Sequence, residues 1–155
     1  MEFTVTIRRA VPEDRTQIAE MRAALWPDGP FEEHLHEFDA QLATGMNGTL
    51  PAATFVAQDA QGVLIGFVDV GLRSHADGCD PRRPVGFVEG WYVRNEMRNR
   101  GIGKGLVLAA EDWARGQGCR EMASDALFDN QASLAAHEAL GFEVVDRCFH
   151  FRKSL

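Results

Sequence analysis

Residues 95–105 read NEMRNRGIGKG, three glycines and three cations within eleven positions. An apolar run, GFVEGWYV (86–93), precedes them, and an amphipathic one, LVLAAEDWARGQG (106–118), follows. A strand therefore hands over to a helix through bare, positively charged backbone. The first-turn amides of a helix have no intrahelical partners, and the helix dipole favours negative charge beside them. Such a turn suits an anion, above all a phosphate, and it makes the chain after residue 86 a strand with a crossover helix. The plain alternative is a tight turn with its arginines solvated.

Two phosphate motifs are excluded by spacing. A nucleoside-triphosphate loop needs Ser or Thr after its Gly-Lys, whereas Lys104 is followed by Gly105. A dinucleotide fingerprint needs a third glycine at a different spacing and repeated βαβ units upstream, and the upstream half reads as antiparallel, even though Asp125 falls at the next strand end. What remains is Arg-x-x-Gly-x-Gly, filled by Arg98, Asn99, Arg100, Gly101, Ile102 and Gly103, with Lys104 next.

Alternating and apolar runs predict strands over residues 3–9, 54–58, 63–72, 86–93, 121–124 and 142–151. Helical periodicity predicts helices beginning near Pro12, from 31 to 42, from the glycine turn to 117, and from 130 to 140. Residues 45–51 and 74–84 read as loops. The order is β-α-α-β-β-β-α-β-α-β. It gives an α+β fold, a mixed sheet of six to seven strands with an antiparallel first part and about four helices. No repeat or linker divides residues 1–155, which read as one domain.

A net charge of −7 argues against nucleic acid as the partner and suits a cationic substrate. No window has the apolar length of a membrane span, and the opening MEFTVTIRRAVPEDR lacks a signal peptide's apolar core. Cys79, Cys119 and Cys148 have no metal-ligand spacing and are odd in number, so the reading is a reduced, cytoplasmic protein with neither disulfide nor metal.

The Arg-x-x-Gly-x-Gly turn, Asn130 at the next helix start and HEALGFE (137–143) together resemble the GNAT superfamily of N-acetyltransferases. Within it, LWP (25–27), FVEG (87–90), GCREMASD (118–125) and FHFRK (149–153) are similar to the small bacterial aminoglycoside 6'-N-acetyltransferases. The resemblance implies the GNAT fold, acetyl-CoA as cosubstrate and direct acetyl transfer to an amine in a ternary complex. It places the coenzyme diphosphate on residues 98–104 and the pantetheine arm along Trp91, Tyr92 and Val93, with the Val93 amide facing the thioester oxygen. Asn130 would bind the coenzyme arm, cap its helix, or do both. A homodimer joined through C-terminal strands is likewise implied.

Glu89 stands within an apolar strand, so it faces either solvent or a cleft. In the second case it binds the substrate ammonium and helps to remove its proton. Asp125, across the cleft, is a second carboxylate for a polycationic aminosugar or caps a turn before Asn130. Asp146 matches an acidic substrate-contacting position, commonly Glu in the aminoglycoside enzymes, and Trp26 is either an apolar wall for a sugar ring or ordinary packing. The chain departs from the superfamily pattern at His137, where many members carry Tyr as the acid for the departing thiolate. His137 is that acid, or the thiolate leaves unaided, or His137 is packed. Cys119 reads as core. Other small amines, polyamines or protein N-termini are the alternative acceptors, and a non-catalytic acyl-CoA-binding module is the alternative class. The 74–84 loop offers His75 and Ala76 where the subfamily can bring an aromatic residue to the substrate.

Overall fold

The computed structural model describes residues 4–155. Strand β1 (Val5–Arg9) leads through a 3-10 turn (Pro12–Asp14) into helices α1 (Arg15–Leu25) and α2 (Phe31–Thr44). A short β2 (Met46–Asn47) is followed by three long strands, β3 (Leu50–Asp59), β4 (Leu64–Arg73) and β5 (Val85–Val93). Helix α3 (Ile102–Gly116), β6 (Met122–Ser124) and α4 (Gln131–Ala139) follow. The expected α+β architecture is present. Among the described residues the sheet has six strands ordered β1-β3-β4-β5-β6, with β2 on β3. All pairings are antiparallel except β5 with β6, which are parallel and joined by the crossover helix α3.

Helices cover both faces. On one, Ile18 and Met21 of α1 and Phe38 of α2 pack with Val56, Leu64 and Phe67. On the other, Ile102, Leu106 and Ala110 of α3 pack with Ala53, Ala57, Ile65, Val68, Val70 and Val88. A central strand covered on both sides must be apolar throughout, and β4 is buried from Leu64 to Gly71 with one charged exception, Asp69.

Two expectations are corrected. The loop predicted over 45–51 contains β2 and the start of β3, because Met46 and Asn47 pair back on Pro51 and Leu50. The closing strand predicted over 142–151 does not form. After α4 the chain turns at Gly141 (φ 90°) and the tail crosses the surface, Val145 against Gly78 and Arg147 over Phe128. A strand needs a neighbour for its amides and carbonyls, and this stretch has none among the described residues. Phe142 still packs against His137, but the later aromatics stay in solvent, Phe149 at 88% exposure and Phe151 at 93%. Residue 3 of the first predicted strand lies outside the described residues.

Candidate active site

The β5–β6 ladder pairs Gly86 with Met122, Phe87 with Ala123 and Val88 with Ser124, and there it ends. The next residue on each strand is a carboxylate, Glu89 and Asp125. The two acids therefore stand at the point where the strands part. Glu89 has a second distinction. On its other side the β4–β5 register shifts, Asp69 opposing Gly90 and Val70 opposing Val88. Glu89 is thus the extra residue of a β-bulge, a device that re-aims a side chain out of the regular pleat.

Beyond β5 the glycine turn divides its work. Gly101, at φ 79°, takes the left-handed conformation that starts α3, and Asn99 at φ 62° precedes it. Nothing lies within 4 Å of a side chain built on Gly101, so the approach to the helix end is open. The first intrahelical amide bond runs from Gly105 to the Gly101 carbonyl, at 3.1 Å. The amides of Ile102, Gly103 and Lys104 precede it and are free for an anion, with Arg100 and Lys104 exposed beside them. These residues fit a diphosphate. Gly103 and Gly105 serve packing instead: a Cβ on Gly103 would come 3.1 Å from the Trp91 ring, and one on Gly105 would collide with Ile7. Arg98 is a latch in this structure, its Nε donating 2.8 Å to the Val93 carbonyl and its guanidinium 5.8 Å from the Tyr92 ring centre. Trp91 Nε1 donates 3.1 Å to the Gly103 carbonyl, fastening the turn to β5 a second time.

A cleft of about 470 Å³ opens on the α1/α2 side of the sheet, and Trp26, Glu37, Asp69 and Glu89 line it together with Arg22. Three carboxylates line it, but Asp69 is paired with Arg22 and Glu89 with Arg73, so an entering cation competes with these arginines. Trp26 is held edge-on by Phe67 at 6.3 Å between ring centres and stacks on His34 at the same separation. Its ring rests where any Gly90 side chain would sit. At the floor Arg22 donates 2.8 Å to Asp69, Thr54 donates 2.6 Å to the same oxygen, and Gln41 donates 2.9 Å to Thr54. This buried network ties α1 and α2 to β3 and β4.

Sequence reasoning singled out Trp26 and Glu89 but not Glu37, Arg22, Asp69 or Arg73. Asp69 carried a signal, a carboxylate in the apolar run GFVDVGL, as Glu89 does in its own strand. Arg73 Nε and Nη2 donate 2.9 and 2.8 Å to the two oxygens of Glu89. These bonds, helped by the charges of Glu89 and Asp125, raise the Arg73 pKa above the ordinary arginine value against the pull of burial.

The remaining expected residues divide. Asn130 Oδ1 accepts 3.0 Å from the Ser133 amide, so it caps α4. His137 Nδ1 lies 2.7 Å from the Ser133 carbonyl, which only accepts, so this nitrogen carries the proton. Nε2 lies 2.7 Å from Ser124 Oγ, the second hydrogen bond of the ring. The ring also packs edge-on against Trp91 and Phe142. Of the three readings of His137 this arrangement favours packing. Asp125 is exposed just beyond the ladder, whereas Asp146 lies in the solvated tail and accepts from its neighbour Arg147 at 2.7 Å. The structure does not bring Asp146 to the cleft. Burial pushes the Cys119 thiol pKa up, which opposes any nucleophilic role.

Comparison with known proteins gives consistent matches. The profile of the Acetyltransferase (GNAT) family matches residues 18–142. An aminoglycoside N(6')-acetyltransferase type 1 of Klebsiella aerogenes is 40% identical over 157 aligned positions, covering 100% of both chains. A namesake from Stenotrophomonas maltophilia is 39% identical, covering 97% of this chain and 94% of its own. Among solved structures, the aminoglycoside acetyltransferase AAC(6')-Iy bound to the bisubstrate analogue CoA-S-monomethyl-acetylneamine superposes with a TM-score of 0.87 at 37% identity, over 98% of this chain and 99% of that one.

Proposed function

The chain belongs to the GNAT acetyltransferase family, and from that premise we propose that it transfers the acetyl group of acetyl-CoA to the 6'-amine of aminoglycosides, as a resistance enzyme. The observation that carries this reading is Glu89, which lines the cleft at the point where β5 and β6 part, with Asp125 the next residue after β6. The full-length similarity to aminoglycoside 6'-acetyltransferases supports it.

Acetyl-CoA supplies an activated acyl group; the residues of this chain bind, orient and handle the proton. The free amides of residues 102–104 and the charges of Arg100 and Lys104 hold the diphosphate. The β5 edge over Trp91, Tyr92 and Val93 orients the pantetheine arm, the Val93 amide offers a fixed dipole to the thioester oxygen, and Asn130 adds a contact to the arm. Trp26 presents an apolar face to a sugar ring. Glu89 receives the reacting ammonium and takes its proton, directly or through water, and Asp125 meets a second ammonium. The thiolate departs without help from His137, since a thiol is acidic enough to leave unaided.

The enzyme is one catalytic domain over residues 1–155 and works in the cytoplasm, in line with its free cysteines and with the absence, among the described residues, of any helix long and apolar enough to cross a membrane. It acts as a homodimer. The 142–155 tail, with its exposed Phe149 and Phe151, supports this, because it pairs with no strand among the described residues and a second copy can supply that neighbour. Asp146 then meets substrate only through that assembly. Light scattering checks the dimer. The activity is tested by thiol release from acetyl-CoA with kanamycin, tobramycin, spermidine and an N-terminal peptide. Rapid release with the aminoglycosides is expected. Background rates with both, alongside rapid release with spermidine or peptide, would overturn the substrate assignment.

A further inference from the structure

The carboxylate assigned to the substrate ammonium already holds a cation of its own chain. Arg73 closes β4, and Phe87 and Glu89 lie on the neighbouring strand β5. The Arg73 guanidinium lies over Phe87, its central carbon 3.4 Å from the ring centre, and grips both Glu89 oxygens. Asp125 is also within its electrostatic reach. Resting on the reading of Glu89 as ammonium acceptor, we infer that Arg73 is a specificity-determining counter-cation, which the reacting ammonium must displace from Glu89.

Three physical points support this exchange. The pair is open to water, with 44% of the Arg73 side chain and 30% of that of Glu89 exposed, so breaking it costs little. The displaced guanidinium keeps its place on the Phe87 ring and can turn towards Asp125, so its charge is not stranded. Acetylation turns the ammonium into a neutral amide, which no longer competes for Glu89, and Arg73 can take the carboxylate back. The enzyme thereby favours the charged substrate over its uncharged product while keeping substrate affinity below the limit the acids alone would set.

Calorimetry on the CoA-loaded protein tests this with two ligands, kanamycin and its 6'-N-acetylated form. Removing an exposed competing ion pair, in Arg73→Gln, is expected to tighten kanamycin about two- to fivefold at ~50 mM salt and less at ~0.5 M. The acetylated form should bind Arg73→Gln as it binds the parent, and Arg73→Lys should fall between. Weaker kanamycin binding in Arg73→Gln would show that Arg73 orients Glu89 productively, and equal tightening of both ligands would reduce its effect to bulk charge; either overturns the inference. Turnover of aminoglycosides without the selective gain overturns this inference alone. The selective gain without turnover overturns the acetylation reading alone, and no binding to either protein overturns both.

Discussion

Ser124 Oγ and His137 Nε2 lie 2.7 Å apart, joining the end of β6 to α4. With Nδ1–H given to the Ser133 carbonyl and Nε2 held against Ser124, both ring nitrogens are engaged within the chain. Its work is to fix α4 against the strand whose next residue is Asp125.

The first prediction follows from that geometry. His137→Gln should lower stability by about 1–2 kcal/mol through the lost hydrogen bonds and ring packing, with kcat within about threefold of the parent. Thermal melts and steady-state kinetics check both. A loss of about a hundredfold in kcat at unchanged Tm would restore His137 as the acid.

Glu89 should behave in the opposite way. It is half-exposed, and as a bulge residue it has no register partner on β4. Glu89→Gln should therefore leave stability within about 0.5 kcal/mol. It should cut kcat/KM for amine by about 10²–10⁴-fold, the range of a lost general base. Chemical denaturation alongside initial rates separates the two effects.

The glycines of the turn should separate by role. Gly101→Ala forces a side chain into the left-handed region and disturbs the start of α3, so the KM for acetyl-CoA should rise. Gly105→Ala meets only the Cδ1 end of Ile7, which can turn aside, and it gains helix propensity, so stability should stay within about 1 kcal/mol of the parent with the coenzyme KM little changed.

Asp14 gives a pH dependence. Burial alone would push its pKa up, but hydrogen bonds from Arg8 at 2.8 and 2.9 Å and from the Val11 amide at 2.9 Å outweigh it and hold the carboxyl below its ordinary range. The native state thus keeps this charge to lower pH than the unfolded chain. The stabilisation is complete above the unfolded value of about 3.9 and is lost as pH falls through the native value. Asp14→Asn should cost about 1.5–3 kcal/mol at neutral pH, with the gap to the parent closing below about pH 4 in urea titrations.

Local patterns carried much of this molecule into view. The apolar runs and the glycine turn determine β5, α3 and the crossover, because strand alternation, helix periodicity and backbone freedom are properties of neighbouring residues. Glu89 stood out for the same reason, as a charge in an apolar strand. Arg73 did not, since its meaning depends on a bulge that turns Glu89 towards it across β4 and β5. Glu37 is one of several acids in the α2 sequence, and only the fold sets it apart by placing it at the cleft. The tail misled for a related reason. FHFR has the alternation of a strand, but alternation does not supply a neighbour, and residues 142–155 find none among the described residues.

The most direct test of the central claim is the structure, by NMR, of the product formed from acetyl-CoA and tobramycin with the parent enzyme. The account predicts a single acetyl group on the 6'-nitrogen, with one thiol released per acetylated antibiotic. An acetyl group on another amine, or no acetylated product above the enzyme-free reaction, would contradict it.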